Sequence, residues 1–179
     1  MMHALGLLHA DLRAKALFCY GDDGVMGLSR AIGADGTLAM VLYRLAQGAR
    51  ESKLGLLEMA FCKLNAQWNG CVIGRGAELG PGFVLLHSGG VVINGRVRGG
   101  ADVRVEHQVT LGDDGSGGVP ELGDGVYVGA GAKVIGPVRV GSGARVGANA
   151  VVVHDVEPHT TVVGIPARPV TRRTRRAPI

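Results

Sequence analysis

Two histidines have both the residue type and the setting to move a proton. His87 stands in Leu86-His87-Ser88-Gly89-Gly90-Val91, and His107 in Val105-Glu106-His107-Gln108-Val109. A neutral imidazole, with an ordinary pKa of about 6.5, can take a proton from a hydroxyl as that oxygen attacks a thioester. Spacing alone also admits a surface imidazole at 87 and a hydrogen-bonded structural one at 107. Asp113 and Asp114 open a glycine-rich segment, Gly112 to Pro120, whose carboxylates are candidate contacts for an acceptor substrate. His154 and His159 are five apart with no third ligand in view, so no metal site is read. Cys19, Cys62 and Cys71 are odd in number and lack CxxC spacing, which argues for reduced thiols rather than a disulfide framework.

The elements that hold these residues follow from periodicity. Aliphatic residues fall at every sixth position through Ile73, Leu79, Leu85, Val91, Val97, Val103 and Val109, then again through Leu122, Val128, Val134, Val140, Val146 and Val152. A hexad makes one short flat strand and a corner, with the aliphatic residue inward and a small residue near the bend. Three hexads close a triangular coil, and coils stack as parallel strands at about 4.8 Å. Thirteen hexads predict a mainly β chain: a parallel β-helix of about four coils over 71–170, with one register break at 112–121. His87 falls at the third place of its hexad and is expected outward. His107 falls at the fifth, where Ala or Gly is usual, so its ring is expected either to point inward or to distort the corner. Regular stacking places the two about 8 Å apart on one wall. Lys133, Arg139 and Arg145, six apart, fall on three different walls and form no single phosphate stripe.

Ahead of the hexads, residues 1–70 carry helical spacing: a helix near Leu7 to Phe18, a turn at 21–24, one helix after Asp35-Gly36-Thr37 and one through Leu54, Leu57, Phe61 and Leu64. Two or three helices are expected there. The 31 glycines among 179 residues, with 46% hydrophobic and 4% aromatic content, fit a coil that needs close backbone approach. The net charge of +4 is located in a basic tail, 171–179, where Arg172, Arg173, Arg175 and Arg176 stand with no acid. Without those four, 15 basic residues balance 15 acidic ones, so the body offers no field for nucleic acid. The first apolar run is too short for a signal peptide and no stretch reaches membrane-spanning length, so no membrane insertion and a cytoplasmic location are expected.

From about Ile73 to Val170 the chain resembles the hexapeptide acyltransferases, specifically the serine acetyltransferase branch and the similar acetyltransferases of bacterial polysaccharide pathways. The resemblance is carried by Leu86 to Ile93, by Val109-Thr110-Leu111-Gly112, by Gly129-Ala130-Gly131-Ala132-Lys133-Val134-Ile135-Gly136 and by Asp155 to Arg168. It implies a left-handed winding, a homotrimer, and acetyl-CoA lying in a groove between neighbouring prisms with His87 as general base and His107 as a second member of the site. It further implies Gly129, Ala130, Gly131 and Ala148 against the pantetheine, and Lys133 and Arg168 near the phosphates. Three places depart from the serine enzymes: Leu86 and Val72 stand where they carry acidic residues, and Val119 where they carry a loop histidine. Apolar groups cannot hold an ammonium. The expected activity is therefore acetyl-CoA-dependent O-acetylation of a small-molecule or sugar hydroxyl. The alternatives are a genuine serine O-acetyltransferase of cysteine biosynthesis, or a non-catalytic trimeric scaffold that binds a partner enzyme through a C-terminus ending in Ile179.

Overall fold

The structure, a computed structural model, describes residues 2–170, so the basic tail and its terminal Ile179 lie outside the described residues. Four helices come first: α1 (Met2–Tyr20), α2 (Val25–Gly33), α3 (Thr37–Glu51) and α4 (Gly55–Asn69). The extra helix is α2. It escapes the apolar pattern because the face it buries is made of Gly27 and Ala31, while Val25, Met26 and Ile32 point to solvent. α4 ends at Gly70, in the left-handed conformation that suits a glycine C-cap.

A left-handed parallel β-helix follows. Wall A holds β1 (Val72–Ile73), β4 (Val92–Ile93), β7 (Thr110–Gly112), β10 (Lys133–Ile135) and β13 (Val151–Val152). Wall B holds β2 (Glu78–Leu79), β5 (Arg98–Gly99), β8 (Glu121–Leu122) and β11 (Arg139–Val140). Wall C holds β3 (Val84–Leu85), β6 (Arg104–Val105), β9 (Tyr127–Val128), β12 (Arg145–Val146) and β14 (Thr161–Val163), closed by an antiparallel β15 (Arg168–Pro169). Wall A carries five strands, so the solenoid makes about five turns rather than four. The hexad count stops at Val152, but inward packing continues through Val156 and Val162.

Register corrects the hexad series at a second place. Val72 pairs with Val92, twenty residues on, whereas Val92 pairs with Thr110 and Lys133 with Val151, eighteen on. The first turn thus holds two extra residues, and the corner after Leu85 supplies them. Leu85 and Val91 both face inward with five residues between them; at the next corner of the same edge Val105 and Val109 enclose three. Ile73, Leu79 and Leu85 are therefore strand centres, while Val91, Val97, Val103 and Val109 are corner positions that happen to continue the six-residue count. The expected break also exists: Thr110 pairs with Lys133, twenty-three residues on, and the surplus forms the loop between β7 and β8.

The solenoid core runs unbroken from the first turn to Val162 and is plugged at its lower end by Ala39, Met40 and Tyr43 of α3. A first coil has nothing beneath it, and a bare strand edge is costly when buried. Helical side chains take the place of the missing strand. Tyr43 Oη donates to the Ala77 carbonyl and accepts the Leu79 N–H, both at 3.1 Å. Arg44 donates to the carbonyls of Leu79 (2.8 Å) and Gly80 (2.7 Å) and pairs with Asp11 at 2.7 Å. Asp11 in turn accepts the Phe83 N–H at 2.9 Å. Burial pushes the Asp11 carboxyl up against the pull of Arg44. The helical region is thus joined to the coil by buried, fully partnered charge.

Candidate active site

The edge between walls C and A gathers most of the candidate residues. Its corners stack in the order Leu86–Gly90, Glu106–Gln108, Gly129–Gly131 and Gly147–Asn149. Backbone bonds tie each to the next: Gln108 N–H to the Gly89 carbonyl, Gly131 N–H to that of His107, and Asn149 N–H to that of Ala130. His107, Ala130 and Ala148 are the middle residues of three-residue corners. That position points outward, so His107 neither turns inward nor distorts the corner, as the six-residue count had required of it; Val103 and Val109 are corner positions rather than strand centres, which changes its place in the coil. His87 lies on the longer corner below and also stands outward, its side chain 55% exposed. The two rings meet edge to face with centroids 5.7 Å apart.

An open cleft of about 460 Å³ is lined here by Asp35, His87, Gly89, Gly90, His107 and Gln108. Asp35 is the residue that sequence reasoning did not assign to the site. It sits in the turn between α2 and α3, 52 positions from His87, and its Oδ2 lies 2.8 Å from His87 Nδ1. Its Oδ1 accepts the Gly36 N–H at 2.7 Å. The hydrogen bond from His87, helped by that from Gly36, holds the Asp35 carboxyl below its usual range. An ionised carboxylate only accepts, so a neutral ring bonded to it through Nδ1 carries its proton there and keeps its lone pair on Nε2. The carboxylate missed at positions 72 and 86 thus enters from the helical region. Only the start signal Asp35-Gly36-Thr37 marked this residue in the sequence, and it marked a helix.

Lys15 of α1 reaches the same place from beneath. It is 1% exposed, and its ammonium donates to the Leu85 carbonyl at 2.8 Å and to the backbone carbonyl of Asp35. Burial lowers its pKa to about 8. On the other side, His107 Nδ1 lies 3.8 Å from Glu106, which accepts the Tyr127 hydroxyl at 3.0 Å.

Above the histidines the corners pack closely. Ala130 and Ala148 are their outer residues, while Gly129 and Gly131 let successive corners approach: a Cβ on Gly129 would lie 2.8 Å from the Ala148 nitrogen, and one on Gly131 would meet the Asn149 side chain. Lys133 begins β10 beside these corners and donates to the Gln108 carbonyl. Arg168 lies exposed on the β14–β15 hairpin, whose connection closes the top of the same edge. Asp113 and Asp114 lie elsewhere, on the edge between walls A and B. Asp113 pairs with Arg96 at 2.6 Å, and Asp114 accepts the Ser116 N–H (2.9 Å) and hydroxyl (2.6 Å). Within one chain they do not line the histidine cleft.

Residues 120–154 match the family model described as bacterial transferase hexapeptide (six repeats). The chain is 40% identical over 162 residues to a serine acetyltransferase of Mycobacterium tuberculosis, covering 89% of this chain and 65% of that protein. It is 39% identical over 140 residues to one from Helicobacter pylori, covering 76% of this chain and 82% of the relative. It thus spans just under two thirds of the mycobacterial protein and most of the Helicobacter one. Among solved structures, a Neisseria gonorrhoeae serine acetyltransferase superposes with a TM-score of 0.83 at 32% identity, over 98% of this chain and 69% of that one. A Brucella abortus serine acetyltransferase in complex with coenzyme A gives 0.81 at 27% identity, over 92% and 66%.

Proposed function

Given that this chain belongs to the serine acetyltransferase family, we propose that it is an acetyl-CoA-dependent O-acetyltransferase that acts on L-serine with His87 as general base. The observation that carries the reading is the Asp35–His87 pair in an open cleft at the foot of a ridge of small residues. His87 Nε2 takes the acceptor's hydroxyl proton as its oxygen attacks the thioester carbonyl, and returns that proton to the departing CoA sulfur. The acetyl group passes directly to the acceptor, with no covalent acetyl-enzyme. The ridge of Gly129, Ala130, Gly131 and Ala148 fits an extended pantetheine, with Lys133 and Arg168 beside it for phosphate oxygens.

Relatives named for serine favour L-serine over the sugar acceptor expected from sequence. Asp35 supplies the carboxylate beside the base that Leu86 and Val72 do not. One observation keeps the sugar reading as second choice: among the described residues, no lysine or arginine lines the cleft to meet an amino acid's carboxylate.

We place the site between copies of a homotrimer. Wall A presents Val72 and Val92 outward, a column suited to packing against a second copy. Threefold packing there brings the A–B edge of one chain, with Asp113 and Asp114, toward the histidine edge of the next. No single helix among the described residues is long and apolar enough to cross a membrane.

The test is CoA release from acetyl-CoA with L-serine beside a panel of sugars and sugar nucleotides, wild type against His87→Ala. The expected result is serine-dependent release that falls on the order of 10²–10⁴-fold in the variant. Release with a sugar alone moves the acceptor to the second reading. Unchanged turnover in His87→Ala removes the base assignment. Acetyl-CoA binding with no turnover on any acceptor points to a scaffold.

A further inference from the structure

The helical region does more than plug the solenoid. Its first helix and the turn between its second and third helices converge on the backbone and side chain that set the imidazole. The His87 corner is two residues longer than its neighbours, and Gly90 within it adopts a positive φ of 72°. Backbone bonds hold its two ends, from Leu86 N–H to the Val105 carbonyl, from Gly90 N–H to that of Gly70 and from Gln108 N–H to that of Gly89. Side chains from the helical region add Asp35 on the His87 Nδ1 and Lys15 on the Leu85 carbonyl, two residues before His87. Lys15 bonds the Asp35 carbonyl as well, so a single ammonium joins the turn that carries the carboxylate to the strand that leads into the base. Gly36 completes the joint. Its φ of 75° and its contact with the Leu85 carbonyl leave no room for a side chain.

We propose that Asp35 and Lys15 are positioning residues for His87. The Asp35 carboxylate fixes the tautomer and direction of the ring, and the Lys15 ammonium fixes Asp35 relative to the coil. The inference rests on His87 being the base, but its geometric half is testable without any substrate. Edge satisfaction alone explains a buried Lys15 bonded to Leu85. It does not explain the second bond, to the residue that holds the imidazole.

Two measurements decide it. In ¹⁵N-labelled full-length protein, NMR of the neutral His87 ring is expected to show the proton on Nδ1 in wild type, with that preference lost in Asp35→Asn and weakened in Lys15→Met. A wild-type ring protonated on Nε2 overturns the proposal. In turnover assays, Asp35→Asn is expected to lower kcat on the order of 10²–10⁴-fold with KM for acetyl-CoA and acceptor near wild type. A raised acceptor KM with kcat retained overturns it, because Asp35 would then be a substrate contact. Should Lys15→Met fail to fold, Lys15→Arg keeps the donors, and recovery of the Nδ1–H form there supports the role; a folded Lys15→Met with wild-type NMR and kcat removes it. Wild type inactive on every acceptor would sink the acetyltransferase reading and leave the NMR result to stand by itself.

Discussion

Gly36 is the residue on which the geometry of the site closes. An added Cβ would lie 2.5 Å from the Leu85 carbonyl oxygen, the atom that also accepts Lys15. Left-handed backbone costs a non-glycine residue about 1–3 kcal/mol in a constrained setting, and here the clash is with main chain that cannot swing away. Gly36→Ala is therefore expected to lower stability by at least that amount and to lower kcat by displacing Asp35. Gly33→Ala, where a Cβ meets nothing within 4 Å, is the control that should leave both near wild type. Urea titration with steady-state kinetics on both variants checks it. At this scale the sequence was half legible. His87 could be picked out from its local motif and His107 from its odd hexad place. Asp35 could not, because a side chain acting across 52 positions leaves no spacing signal, and nothing in the local spacing marks Lys15 either.

Helix α1 carries a titration that separates its role from plain packing. Lys15 has a folded pKa of about 8 against an ordinary 10.5, lowered by burial. Between those values the unfolded chain binds more protons than the folded one, so this group makes stability rise with pH through that window; below about pH 8 the burial cost is present in full. The difference in unfolding free energy, wild type minus Lys15→Met, is accordingly expected to increase from pH 8 toward pH 10. A flat difference would mean that Lys15 is not held in a dry site. α3 was legible from its start at Asp35-Gly36-Thr37 although it buries Ala39, Met40, Tyr43 and Ala46, whereas α2, whose buried face is Gly27 and Ala31, was not. Six-residue spacing named the solenoid correctly, yet it hid the two-residue insertion at 86–90, because an aliphatic corner residue, Val91, continued the count that a strand centre, Leu85, had begun.

Over the whole molecule, the three walls differ in what they offer to solvent. Wall B runs Glu78, Arg98, Glu121, Arg139 along its outer column, with ion pairs of 3.3 Å between Arg98 and Glu78 and 3.7 Å between Arg139 and Glu121. Alternating charge of this kind is at home in water and gains little from being covered. Wall A instead starts with Val72 and Val92, 46% and 43% exposed and stacked in register. Thr110 and Lys133 continue that column above them, so the apolar surface sits at the lower end of the wall, where a second copy would cover it, and the histidine edge borders this wall directly. Val92→Arg places a charge on that apolar pair without touching the core, since its inward neighbours are Val91 and Ile93. With the proposed trimer packed through this wall, the variant is expected to keep its secondary structure by circular dichroism, to fall to monomer mass by light scattering, and to lose turnover with the site between copies. Glu121→Ala on wall B should leave mass and turnover unchanged. If Val92→Arg keeps the wild-type mass, wall A is not the contact; if it becomes monomeric and stays fully active, the cleft of a single chain suffices for the chemistry and Asp113 and Asp114 drop out of the site.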